Sequence, residues 1–166
     1  MQIDMFSILR TLHILVAALW LGAAALLTII ILPAIRTSGA TGNAFIAEAA
    51  RRGLPKFMAS VAGLTVLSGL ILYWQWAGMV GPAGTHGTGA IMLMVGALAG
   101  VAAAIIGGAI LAPAAKQLAA LAVESSADDS RQSRMAALHQ RMATATKFAL
   151  TLLVIALLLM SMSRFG

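Results

Sequence analysis

Three histidines occur in the chain, His13, His86 and His139, and they are the side chains best suited to bind a metal or move a proton near neutral pH. No cysteine accompanies them. Disulfides, iron–sulfur clusters, thiolate metal sites and cysteine nucleophiles are therefore excluded together. The remaining soft donors are ten methionines. Thioether with imidazole is a donor set suited to monovalent copper, and Met92, Met94 and Met160 join His13 and His86 as candidate ligands. Arg10, His13, Ala17 and Trp20 are spaced alternately by three and four residues, which puts them on one face of a helix. With Arg10 one turn away to meet a propionate, His13 is equally a candidate ligand for haem b. There is no Ser–His–Asp set, HExxH, phosphate loop or Rossmann glycine pattern, which argues against a hydrolase.

The elements that position these side chains are built for lipid. The 166 residues are 61% hydrophobic and 10% charged, with a mean hydropathy of +0.96. This composition excludes a water-soluble enzyme with a polar cleft. Four apolar stretches approach or exceed the about 20 residues that cross a hydrocarbon core of about 30 Å. They predict spans at about 8–35, 55–77, 89–115 and 145–164 within one domain, 1–166, with connections at 36–54 and 116–144. The first run is about twice the length of a secretory-signal core and reads as a retained helix. Pro33, Pro55, Pro82 and Pro113 are expected at the ends of the spans, and Asp128 with Asp129 at the start of the fourth helix. The amphipathic run from Arg131 to Lys147 continues that helix out of the membrane, and no sequence repeat is evident. The fold class expected is an all-α membrane protein, a four-transmembrane-helix antiparallel bundle.

Charge orients the bundle. Of the 11 basic residues, all but Arg10 and Arg164 fall in or beside the first and third connections. By the positive-inside rule these connections are cytoplasmic, and both termini with the second connection face out. The pI near 11.3 is then a topology signal rather than a nucleic-acid surface. His13 lies one to two turns below the outer surface and His86 in the outer connection, while His139 belongs to the inner side. Met5, Met79, Met92, Met94, Met160 and Met162 share the outer level; Met58, Met135 and Met142 are near the inner one. His139, among Arg134, Gln140 and Arg141, reads as a solvated interface residue. An unexceptional reading of His13 is also open, with the ring hydrogen-bonded to a neighbouring helix or a lipid phosphate. No Asp, Glu or Lys lies within the apolar stretches 11–35, 57–77, 89–115 and 148–163, so ion-coupled export lacks its usual carboxylate.

Small residues suggest how the helices meet. Gly96, Gly100, Ala104 and Gly108 recur every fourth residue, a pattern that allows close backbone approach within the bundle or between protomers. Ala18 with Gly22, Ala59 with Gly63, and Thr65 with Gly69 are shorter versions on the first two spans. The large Leu and Ile residues of the fourth helix are expected to face lipid in part.

The run LHILVAALWLG, Leu12 to Gly22, followed by Pro33, resembles the first helix of the CopD family of bacterial inner-membrane copper-resistance proteins. GLTVLSGLILY, Gly63 to Tyr73, is similar to that family's second helix in its Thr and Gly spacing, and LLLMSMSRF, Leu157 to Phe165, to its last. The resemblance implies an inner-membrane protein of copper uptake or tolerance, meeting copper from a periplasmic carrier. His13 is the residue that falls on a motif position, with Trp20 and Gly22 as structural companions. A second likeness is to HemJ, the four-helix protoporphyrinogen oxidase, which also begins with a histidine-bearing, Trp-containing helix. It implies haem b on His13, with His86, a Met or a second protomer's His13 opposite.

The expected function is copper handling at the periplasmic side of the bacterial inner membrane, by a multi-pass protein with both termini periplasmic. The alternatives are a haem-dependent membrane oxidoreductase and an accessory subunit without chemistry. Expected partners are the bilayer, a copper carrier and a second copy through the Gly96, Gly100 and Gly108 face, with no nucleic acid.

Overall fold

A computed structural model describes residues 4–84, 86–123 and 129–163. Helix α1 (Met5–Leu26) runs through a π-helical turn (Leu27–Ile31) into α2 (Leu32–Thr37), and α3 (Gly39–Arg51) and α4 (Leu54–Gly84) follow. The second half repeats the plan: α5 (Thr88–Ile106) runs through a π turn (Gly107–Leu111) into α6 (Ala112–Val123), followed by α7 (Asp129–Met162). No strand occurs among the described residues, and the chain is an all-α bundle as expected. Asp128, Arg164 and Phe165 lie outside the described residues; Asp129 does open α7.

Four helical runs are long and apolar enough to cross a membrane: Met5–Thr37, Leu54–Gly81, Thr88–Leu121 and Asp129–Met162. The first, third and fourth runs overrun the predicted limits where the connections at 36–54 and 116–144 are themselves helical, and the second continues past 77 to Gly81. The 34 residues of α7 reach roughly 50 Å at about 1.5 Å per residue, well beyond a hydrocarbon core of about 30 Å. Its first turns therefore stand clear of the apolar zone with α6 alongside, joined by a small core of Ala114, Leu118 and Met142. Arg131 Nε donates to the Leu121 carbonyl at 2.7 Å and satisfies one of the acceptors at the end of α6. At the opposite end of the chain, Asp4 caps α1 by accepting from the Ser7 amide at 2.7 Å.

Pro33 and Pro113 do not end helices, contrary to expectation. Each sits inside a continuous run just past a π turn. A helical proline has no N–H to donate and its ring collides with the carbonyl four residues back. Those carbonyls belong to Ile29 and Ala109, both within the widened turns. The two runs thus absorb proline by local widening rather than by stopping, a shared device that the residue pattern alone does not display. True breaks come at glycines: Gly53 (φ 99°) between α3 and α4, and Gly81 (φ 66°) where the second run leaves helical geometry.

In packing, α1 lies chiefly on α4 and α5 chiefly on α7. The two hairpins meet around Trp20, Val61, Ala103, Ala149 and Leu153, all buried. Alanine supplies much of this centre, so the backbones approach closely while bulk points outward to lipid. Leu157 and Leu158 of α7 are each 54% exposed, against 7% for Leu153, in line with a fourth helix partly facing lipid.

The small-residue stripe on α5 divides. Gly96 is buried, and a Cβ there would lie 3.2 Å from the Ala156 carbonyl of α7. A Cβ on Gly100 or Gly108 meets nothing within 4 Å. A four-residue step turns about 400° and so drifts about 40° each time. Gly100 thus leaves the contact with α7, while Ala104 packs against the core and Gly108 lines the space between the runs; the buried face is Gly96, Ala99 and Ala103.

Candidate metal site at the terminus-bearing end

Seven residues along a helix make about two turns and roughly 10 Å, returning to nearly the same face. From the buried layer of Trp20, Val61, Ala103 and Leu153, that step toward the chain ends reaches His13 on α1, Ser68 on α4, Gly96 on α5 and Met160 on α7. Side-chain contacts agree with this layer. His13 Nδ1 is 3.0 Å from Ser68 Oγ, and Met160 Cγ is 3.1 Å from where a Cβ on Gly96 would stand. Ser68 and Gly96 are buried and His13 and Met160 half-buried.

The bond to Ser68 favours the tautomer of His13 that is protonated at Nδ1. Ser68 Oγ–H donates to the Leu64 carbonyl at 2.6 Å, with the Thr65 carbonyl 3.2 Å away. Its single proton being used there, the oxygen accepts from His13 Nδ1–H. In that tautomer Nε2 carries a lone pair and has no hydrogen-bond partner among the described residues. Room for the ring comes from Gly69, since a Cβ there would stand 2.9 Å from His13 Cε1.

Of the other predicted site residues, Met92 is half-buried one turn beyond Gly96 toward the same end. Arg10, one turn beyond His13, is half-buried and forms no ion pair among the described residues. Met94 is 45% exposed on the outside of α5, and His86 is exposed in the turn before α5. His139 lies at the basic end and departs from the solvated reading: it is half-buried beside Leu32, Ile35 and Arg36. The bundle thus brings His13 and Met160 to one level and leaves His86 and Met94 at the surface.

A neutral imidazole nitrogen on α1 and a thioether at the same level on α7 are donors that suit a soft monovalent ion, and Ser68 is the kind of partner that orients a ligating histidine from behind. Among the described residues no three His, Asp or Glu side chains group together. Sequence reasoning missed Ser68 and used Gly69 only as a helix contact. The signal available was general: a histidine within a span needs a polar partner on another span. Compared with protein families, curated proteins and solved structures, the chain has no match, and the resemblances to CopD and HemJ rest on the motif residues alone.

Proposed function

We propose that this is a multi-pass bacterial inner-membrane protein that handles copper at the periplasmic side, with His13 and Met160 as inner ligands and Met92 above them. The observation that carries the reading is the common layer of His13 and Met160, with the imidazole held by Ser68 so that Nε2 is free to bind. Exposed His86 and Met94 would receive monovalent copper from a periplasmic carrier before it reaches the half-buried pair. The basic residues of the first and third connections support the orientation, which turns the terminus-bearing end outward.

Binding of Cu(I), measured by competition with a chromophoric chelator under reducing conditions, tests the reading. His13→Ala and Met160→Leu are expected to abolish tight binding, and His139→Ala to leave it unchanged. Full copper binding by a folded His13→Ala protein overturns the assignment. A Soret band in the untreated protein that vanishes in the same variant would replace copper with haem b.

A further inference from the structure

The short helix α2 sits between two weak points. On one side the π turn (Leu27–Ile31) and Pro33 interrupt the regular ladder of helical hydrogen bonds, and on the other Gly39 (φ 55°) turns the chain into α3. Helix α3 packs on α2 closely enough that Gly42 lies against the Ile35 backbone, where a Cβ would collide. At its far end α3 stops at Gly53 before α4 begins. Residues 32–52 are therefore a close pair of helices with a pivot at each end, and hinge motions use such element-terminal positions to absorb changes in φ and ψ.

This pair meets α6 and α7 across a small hollow at the basic end. Leu32, Ile35, Arg36 and Ile46 line one side of it, and Leu118, His139, Met142 and Ala143 the other. Ile35, Leu118 and Met142 are buried, and the half-buried His139 ring has no hydrogen-bond partner among the described residues. Of the charged groups on these four elements, Arg36 is the one that shares the hollow with it. Glu48 of α3 is held by Arg51 and Arg52. Lys116 of α6 and Arg134, Arg141 and Lys147 of α7 are exposed, Arg131 is turned to the Leu121 carbonyl, and Asp129 lies about three turns away along α7. Among the described residues no carboxylate lines the hollow to offset a proton on the ring. Burial, together with the Arg36 guanidinium, holds the His139 pKa below the ordinary histidine value. The residue precedes the apolar stretch that starts near 145, so its proton comes from the aqueous side.

We propose that residues 32–52 form an acid-released flap: a proton taken up by His139 places a second cation beside Arg36 in an apolar junction, and the α2–α3 pair swings away from α6 and α7 on its two pivots. The closed junction favours the neutral ring. Closure is therefore undisturbed above the ordinary histidine pKa of about 6.5 and weakens as pH falls from there toward the lowered value. Leu32, Ile46, Leu118 and Met142 also border the open apolar space between the four runs, so release of the flap widens that space at the basic end. The flap lies at the opposite end of the bundle from His13 and does not depend on copper binding.

Because the chain has no cysteine, spin labels at exposed positions on the two sides, Thr41→Cys with Ala137→Cys, read the junction directly. Double electron–electron resonance on the purified full chain is expected to give a single closed distance at about pH 8 and a growing longer population below about pH 6.5. The open-to-closed ratio should rise by up to about tenfold per pH unit, the limit for one proton. His139→Leu and His139→Gln, neither able to take up a proton, should both stay closed at about pH 5. A pair confined to one side, Gln117→Cys with Ala137→Cys, should keep its distance throughout and shows that each variant is folded. No longer population in the parent at acid pH would overturn the flap. Opening retained in both His139 variants, or a ratio steeper than one proton allows, would overturn His139 as its trigger. A parallel change in the one-sided pair would mean that acid unfolds the whole basic end, and would overturn the proposal as well.

Discussion

At the scale of single residues, the candidate site depends on a histidine wedged between a serine and a glycine. Ser68 is worth more to His13 than its one hydrogen bond, because it fixes the direction of the ring and favours a proton on Nδ1. Ser68→Ala is expected to lower Cu(I) affinity by about 10- to 100-fold, the usual cost of removing a partner behind a ligating histidine. Chelator competition measures this, and an unchanged affinity would mean that the ring is oriented by other contacts. Gly69→Val should be more severe, since it places a branched side chain where His13 Cε1 now lies. At the chain start, the Ser7 hydroxyl and amide hold the Asp4 carboxyl below its ordinary range. The cap is therefore complete above the usual carboxylate pKa and is lost as pH falls through the lowered one. Protection of the Ser7 amide, measured as its exchange rate relative to the intrinsic rate at each pH, should fall across that lower window and remain constant above it.

At the scale of elements, close approach and apparent approach must be told apart. The glycine stripe on α5 was legible in the sequence as a contact face, but a four-residue repeat cannot remain on one face of a straight helix. Gly96→Leu is expected to disrupt the α5 and α7 pairing, by about 1–3 kcal/mol or more, as overpacking does. Gly100→Leu should leave the stability of the single chain within about 0.5 kcal/mol, in keeping with open surface. Thermal unfolding in detergent compares the two; a similar loss in both would restore the full stripe as an interface. Were Gly100→Leu to change the oligomeric state alone, the stripe would be a contact between protomers. The prolines carry a related lesson. Their positions were plain, but whether a helix stops at a proline or widens around it depends on whether packing beyond it rewards continuation. Here α2 and α6 do continue, with Ile35 of α2 buried and Ala114 and Leu118 of α6 in the small core with α7.

For the whole molecule, orientation and interior are separate questions. With basic residues gathered at one end, a reporter active only in the periplasm should work when fused after Gly166 and fail when inserted in the connection at 36–54. The opposite result would reverse every assignment of outer and inner sides. Helical class, four apolar runs, antiparallel order and the charge bias were all determined by the sequence itself, because each is a local property: apolar length, punctuation and the placement of charge. His13 was also legible as a candidate, since a titratable group in an apolar run is conspicuous wherever the run packs. What covers that histidine was decided only by tertiary structure. The meeting of His13 with Ser68, the level shared with Met160 and the burial of His139 beside Arg36 all depend on how far one helix slides along another. Periodicity fixes which residues share a face of one helix, but the register between helices is set by the sum of many small contacts, with alanine and glycine permitting several registers where larger side chains would permit one.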